Sequence, residues 1–169
     1  MIDINSEVIS IWDYGTQFKI QQKREEMLPL LKVLHHFKPE IILEMGCCTG
    51  GTTACFSRLC KLLISCDEIA NFDHNLLRDK CDFRWINANT TTKECLDEIN
   101  KILNGRQVDF LFLDGDHTYD GLKKEYELYY PLVKVGGWIA FHDIVETESH
   151  KSQNCHVYKF WNEVKGNFK

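Results

Sequence analysis

One stretch constrains this chain more than any other: Ile41-Ile42-Leu43-Glu44-Met45-Gly46-Cys47-Cys48-Thr49-Gly50-Gly51-Thr52. A short apolar run fits a strand buried on both faces, as in a parallel sheet. A glycine-rich turn follows it, then residues able to turn helical. The strand therefore delivers a tight loop to a helix start, a place suited to a polar ligand. Glycine in such a loop lets the backbone approach that ligand closely. A hydride-transfer dinucleotide site reads G-x-G-x-x-G and carries its acid at the end of the second strand. Here the acid, Glu44, comes two residues before the first glycine. The plain alternative is a glycine turn of any α/β protein.

Elements alternate along the rest of the chain, without repeat or low-complexity tract. Residues 17–36 read as helical, with Pro29 expected to kink or restart the helix. Ile41–Glu44 is the first strand and Thr52–Cys60 its helix. Leu62–Cys66 is a second strand ending at Asp67, and Phe83–Asn87 a third, followed by a helix over Lys93–Leu103. Val108–Leu113 is a fourth strand, ending at Asp114. A helix over Tyr119–Tyr130, capped by Asp120, leads through a Gly136-Gly137 turn into a fifth strand, Trp138–Phe141. A last helix covers Tyr158–Val164. This rhythm predicts a doubly wound, Rossmann-like parallel sheet of five strands in order 3-2-1-4-5. In such sheets ligands sit beyond the carboxyl ends of the strands.

The 169 residues fit one domain, 1–169, with 1–36 as a helical cap or lid. Trp12, Tyr14 and Phe18 either line that lid or pack the first helix. Trp85 and Trp138 read as core. Net charge is −5 and no lysine or arginine stripe forms, which argues against a nucleic-acid partner. Met1–Glu7 is acidic and lacks the basic-then-apolar pattern of a signal peptide, so neither export nor membrane insertion is expected. The eight cysteines are scattered without a CxxC pair, which favours buried thiols in a reduced, cytoplasmic protein over zinc or disulfides.

Four strands end at or near a residue able to hold a ligand: Glu44, Asp67, Asn89 and Asp114. Asp67 has two readings, a ribose-binding acid or a turn and helix cap. Asn89 either touches an adenine or closes a turn. Thr52 either donates to a ligand carboxylate or caps its own helix. The string Asp114-Gly115-Asp116-His117-Thr118-Tyr119 pairs with Phe141-His142-Asp143 at the end of the neighbouring strand. Asp114, His142 and Asp143 then converge, and two carboxylates with an imidazole suit a divalent cation. The other reading of His142 is a substrate or supporting residue, with Asp114 and Asp143 alone binding. Histidine favours manganese, iron or zinc over magnesium.

With these strings in place, the chain resembles the class I S-adenosylmethionine (SAM)-dependent methyltransferases over about residues 17–161. Within them it is most similar to the branch of macrolide-sugar O-methyltransferases and the cephalosporin hydroxylase group. The Glu44-x-Gly46-x-x-x-Gly50 spacing resembles their first motif. The resemblance implies cofactor roles for Glu44, Gly46, Gly50, Thr52, Asp67 and Asn89, with Glu44 meeting the cationic amino-acid end of SAM. It implies metal roles for Asp114, His142 and Asp143, holding Mg2+ or another divalent cation, and a general-base role for His117. The family usually closes its sheet with a sixth and an antiparallel seventh strand, for which no sequence remains after the helix around Trp161. The chain then reads either as a truncated family member or as one whose bare fifth-strand edge pairs with a second copy in a homodimer.

The function implied is transfer of a methyl group from SAM to a hydroxyl of a small sugar, polyol or phenol. Two other readings stand beside it: a SAM-binding protein without catalysis, and an NAD-linked oxidoreductase. The Glu44 placement and the lack of a tyrosine–lysine catalytic pair weigh against the second.

Overall fold

The computed structural model describes residues 5–69 and 71–167. Two helices, α1 (Ser6–Thr16) and α2 (Arg24–Phe37), precede the sheet. The alternation then runs β1 (Ile41–Met45), α3 (Gly51–Ser57), β2 (Leu62–Asp67), β3 (Asp82–Asn87), α4 (Lys93–Leu103), β4 (Val108–Leu113), α5 (Tyr119–Tyr129) and β5 (Val133–Phe141). Two more helices follow, α6 (Glu148–Ser152) and α7 (Val157–Val164). The five strands pair in parallel in the order β3-β2-β1-β4-β5, as the alternation predicts. No helix among the described residues is long and apolar enough to cross a membrane.

Strand alternation builds two cores. Leu43, Met45, Ile64, Leu111 and Leu113 face Ile99, Leu103, Leu122 and Phe160 of α4, α5 and α7. Ile42, Leu63, Phe110 and Phe112 face the other way, onto Val8, Trp12, Leu31 and Phe56 of α1–α3. Successive side chains of a strand point to opposite faces, so a run buried on both must be apolar throughout. Every residue of β1 and β4 is buried, Glu44 included.

The structure departs from the sequence reading in several places. Residues 17–23 are not helical. The helix ends at Thr16, Lys19 takes a left-handed φ of 57°, and the chain re-enters a helix at Arg24. The earlier α1 is capped by Asn5, whose Oδ1 accepts from the Val8 amide at 2.9 Å, and it buries Val8, Ile11 and Trp12. Pro29 lies inside α2 without ending it. Thr118, rather than Asp120, caps α5, accepting from the Gly121 amide at 3.1 Å. Gly136 and Gly137 lie within β5, whose register against β4 shifts between Val108 and Phe110. Gly136, at φ 79°, belongs to an irregularity in a strand that begins at Val133. Trp138 is no core residue: it is half-exposed on that strand, its ring 5.9 Å from that of Phe37. β5 is the sheet edge among the described residues.

Candidate active site

At the carboxyl ends of β1, β2 and β4 the structure opens a cavity of about 460 Å³. The glycine loop forms one wall, and its geometry demands glycine. Gly46 sits at φ 82°, and a Cβ there would collide with the carbonyl oxygen of Asp114. The loop after β1 thus rests on the loop after β4. Gly50, at φ 79°, backs onto the ring of Phe72 and does not face the cavity.

Of the residues assigned cofactor roles, Gly46, Thr52, Asp67 and Asn89 line the cavity. Asp67 organises the loop: its Oδ2 accepts from the Cys47 and Cys48 amides, each at 2.8 Å, and its Oδ1 from the Ile69 amide at 3.0 Å. Asn89 turns its own chain, accepting from Thr91 N at 2.9 Å, while its amide donates to Glu68 at 3.3 Å. Thr52 donates to Gln22 Oε1 at 2.6 Å.

Glu44 lies beneath the cavity wall. As an even-numbered residue of β1 it points with Ile42 toward the α1–α3 layer, beside its register partner Ser65. Ser65 Oγ donates to its Oε2 at 2.6 Å, and Oε1 is buried without a hydrogen-bond partner. Burial pushes the Glu44 carboxyl up to about 8, against the lowering effect of its Ser65 hydrogen bond.

The second group gathers where β4 and β5 end. His117 Nε2 lies 3.3 Å from Asp114 Oδ1, and its Nδ1 3.3 Å from Asp143 Oδ2. His142 Nδ1 lies 3.2 Å from Asp114 Oδ1 and 3.2 Å from Asp143 Oδ1. Yet both His142 nitrogens are buried without a hydrogen bond of proper geometry. Ligand atoms of Asp114, His142 and Asp143 all fall within 4.8 Å of one another. Two acids and two imidazoles shift each other strongly. Asp114 and the nearby Asp143 raise His117 to about 9, against its burial. Burial would lower His142, but the same two carboxylates carry it up to about 10. Burial would raise Asp114, and the two histidines instead hold it below the ordinary range. His142, ahead of His117, takes Asp143 down to about 2.

Several residues at this site carry no sequence signal. Gln22, in the loop between α1 and α2, donates from Nε2 to Asp114 Oδ2 at 2.8 Å and accepts from Thr52. It thereby ties the segment before the fold to both halves of the site. Glu68, one residue past the acid that ends β2, also lines the cavity. Glu125 of α5 supports it from below, accepting from Thr90 and from the Asp116 amide. Burial raises its carboxyl to about 7.

Comparison with known proteins follows this geometry. The family model described as "Rhamnosyl O-methyltransferase/CmcI" matches residues 12–163. An uncharacterized protein, R132, of Acanthamoeba polyphaga mimivirus is 31% identical over 112 residues, which cover 60% of this chain and 50% of that protein. This chain thus spans about half the length of that curated relative. Among solved structures, the MycE methyltransferase of mycinamycin biosynthesis, in complex with Mg, SAH and mycinamycin VI, aligns with a TM-score of 0.62. Identity is 16%, over 79% of this chain and 39% of MycE. A putative caffeoyl-CoA O-methyltransferase from Staphylococcus aureus aligns with a TM-score of 0.63 at 14% identity, over 95% of this chain and 82% of its own. An O-methyltransferase from Bacillus cereus, in complex with SAH, aligns at 0.58 and 14%, over 98% and 81%. These likenesses establish a shared fold.

Proposed function

The chain belongs to the rhamnosyl O-methyltransferase/CmcI family, and on that premise we propose that it transfers a methyl group from SAM to a hydroxyl of a small sugar, polyol or phenol. The observation that carries this reading is the meeting of Asp114 and His117 on the cavity wall with His142 and Asp143 directly behind them. The cavity would take the cofactor, with Asp67 and Glu68 at its ribose side and Asn89 near the adenine. Methyl transfer is an in-line displacement, so much of the rate comes from holding two reactants close and excluding water.

The donor chemistry of Asp114, His142 and Asp143 fits a divalent cation. Two anionic oxygens and one nitrogen of the His142 ring, a ring that makes no hydrogen bond of its own, meet there within 4.8 Å of one another. When bound, such an ion acts as a Lewis acid on the acceptor hydroxyl and lowers its pKa. His117 would receive the hydroxyl proton at a ring nitrogen. Its two carboxylate neighbours hold it charged; with their charge taken up by a cation, the imidazole returns toward its ordinary range and can act as a base. Gln22 would orient the free oxygen of Asp114. A homodimer paired along the β5 edge belongs to the same reading, and sedimentation as a monomer at micromolar concentration would remove that part.

The test is conversion of SAM to S-adenosylhomocysteine (SAH) by the purified protein with a panel of hydroxylated acceptors, with and without Mg2+ or Mn2+. Acceptor-dependent SAH release that Asp114→Asn removes is the expected result. SAH binding with no turnover on any acceptor would leave a cofactor-binding protein.

A further inference from the structure

We propose that His117, Asp143 and Cys155 form a second cation position, which takes a thiophilic transition ion, zinc, on the side of Asp143 away from Asp114 and His142. The two oxygens of Asp143 face different neighbours. Oδ1 lies 3.2 Å from His142 Nδ1 and 3.4 Å from His150 Nε2. Oδ2 lies 3.3 Å from His117 Nδ1 and 3.8 Å from Cys155 Sγ. The three ligand atoms of His117, Asp143 and Cys155 lie within 4.8 Å of one another. Tetrahedral zinc with bonds of about 2.0–2.3 Å sets its ligands roughly 3.3–3.6 Å apart, close to the two spacings from Asp143 Oδ2, 3.3 Å to His117 Nδ1 and 3.8 Å to Cys155 Sγ.

Three further observations show how this place is built. His150 Nδ1 lies 2.7 Å from the carbonyl oxygen of Val145, which can only accept, so Nδ1 carries a proton. Nε2 of the same ring faces Asp143 Oδ1, so His150 holds that oxygen in place while Oδ2 is left to His117 and Cys155. Second, Asp143 adopts a left-handed φ of 53°, a conformation costly for a non-glycine residue, which aims its carboxylate into the cluster. Third, backbone bonds lace the 150–156 segment to His117. The Cys155 amide donates to His150 O at 2.8 Å, and the His156 amide to His117 O at 2.7 Å. This places a buried thiol against the carboxylate.

The donor set separates this position from its neighbour. The Cys155 thiolate, which the Asp114–His142–Asp143 set lacks, selects zinc and leaves magnesium aside. Asp143 would bridge the two positions through its two oxygens. Zinc on Nδ1 of His117 fixes Nε2 as an N–H and removes the lone pair a base needs. Occupation is therefore inhibitory, a consequence that rests on the base role proposed above; the binding itself does not.

The experiment is zinc K-edge X-ray absorption on the wild-type chain loaded with one equivalent of Zn2+ in excess Mg2+. One sulfur at about 2.3 Å with nitrogen and oxygen neighbours is expected. A shell of nitrogen and oxygen alone, or of two or more sulfurs, overturns the proposal. Co2+ provides the second readout. Its thiolate-to-cobalt charge-transfer band should appear, resist Mg2+, persist in Asp114→Asn and vanish in Cys155→Ser. A band that survives in Cys155→Ser overturns the assignment. These spectra are independent of methyl transfer, so an inactive protein with a zinc–sulfur bond would sink the enzyme reading and keep this one.

Discussion

Gln22 and Asp114 stand 92 positions apart in sequence, yet Gln22 Nε2 donates to Asp114 Oδ2 at 2.8 Å. The same glutamine accepts from Thr52 at 2.6 Å, so one side chain joins the inter-helix loop, the glycine-loop helix and the acid that ends β4. A hydrogen bond to a charged group is worth about 1.5–3 kcal/mol. Gln22→Ala should therefore weaken SAH binding roughly tenfold, a change of about 1.4 kcal/mol, read by isothermal titration. Unchanged affinity would mean that the loop is not part of the cofactor wall.

Gly46 makes a sharper case. Its φ of 82° and the carbonyl of Asp114 behind it oppose any side chain. A left-handed backbone costs a non-glycine residue about 1–2 kcal/mol, and overpacking adds about 1–3 kcal/mol. Gly46→Ala should lose about 3 kcal/mol in urea unfolding. Gly105, at φ 81° with nothing near its Cβ position, is the control, and Gly105→Ala should lose only about 1–2 kcal/mol. Equal losses would show that the contact between the two loops contributes nothing.

The order of the strands and the end points of β4 and α4 are legible in the sequence, because apolar runs and helical spacing record burial directly. Contacts that depend on chain geometry are not. Gln22 is a glutamine in a loop and belongs to no motif. Glu44 shows in the sequence as a carboxylate at a strand end, but only the alternation of β1 against Ser65 sends it beneath the cavity. Asn5, Val8, Ile11 and Trp12 do carry a capped helical pattern, which the aromatic residues that follow obscured. Cys155 and His150 lie beyond the recognised motifs; His150 reaches Asp143 from α6, and Cys155 from the turn after it.

Glu125 links stability to pH. Burial raises its folded-state pKa from 4.5 to about 7, so between those values the folded chain binds more protons than the unfolded one. Stability from this group is present at and below about pH 4.5 and falls as pH rises toward 7. At about 1.4 kcal/mol per unit, the loss is at most roughly 3.5 kcal/mol. Glu125→Gln should flatten the urea-stability profile between pH 5 and about 7 relative to wild type. Parallel profiles for the two proteins would show that Glu125 titrates normally.

The cation site proposed at β4 and β5 can be divided residue by residue. Asp114→Asn and His142→Ala should each weaken Mn2+ binding, followed by electron paramagnetic resonance, by roughly 100-fold. A His142→Ala protein that binds Mn2+ as wild type does would assign the ion to Asp114 and Asp143 alone and make His142 a supporting residue.

The central claim is that the cavity beside Asp67 and Asp114 holds the methyl donor, and titration of the wild-type chain with SAM and with SAH tests it most directly. Both should bind in the micromolar range, one per chain, with binding sharply weakened by Asp67→Ala. Heat absorbed or released with NADH but with neither SAM nor SAH would contradict it.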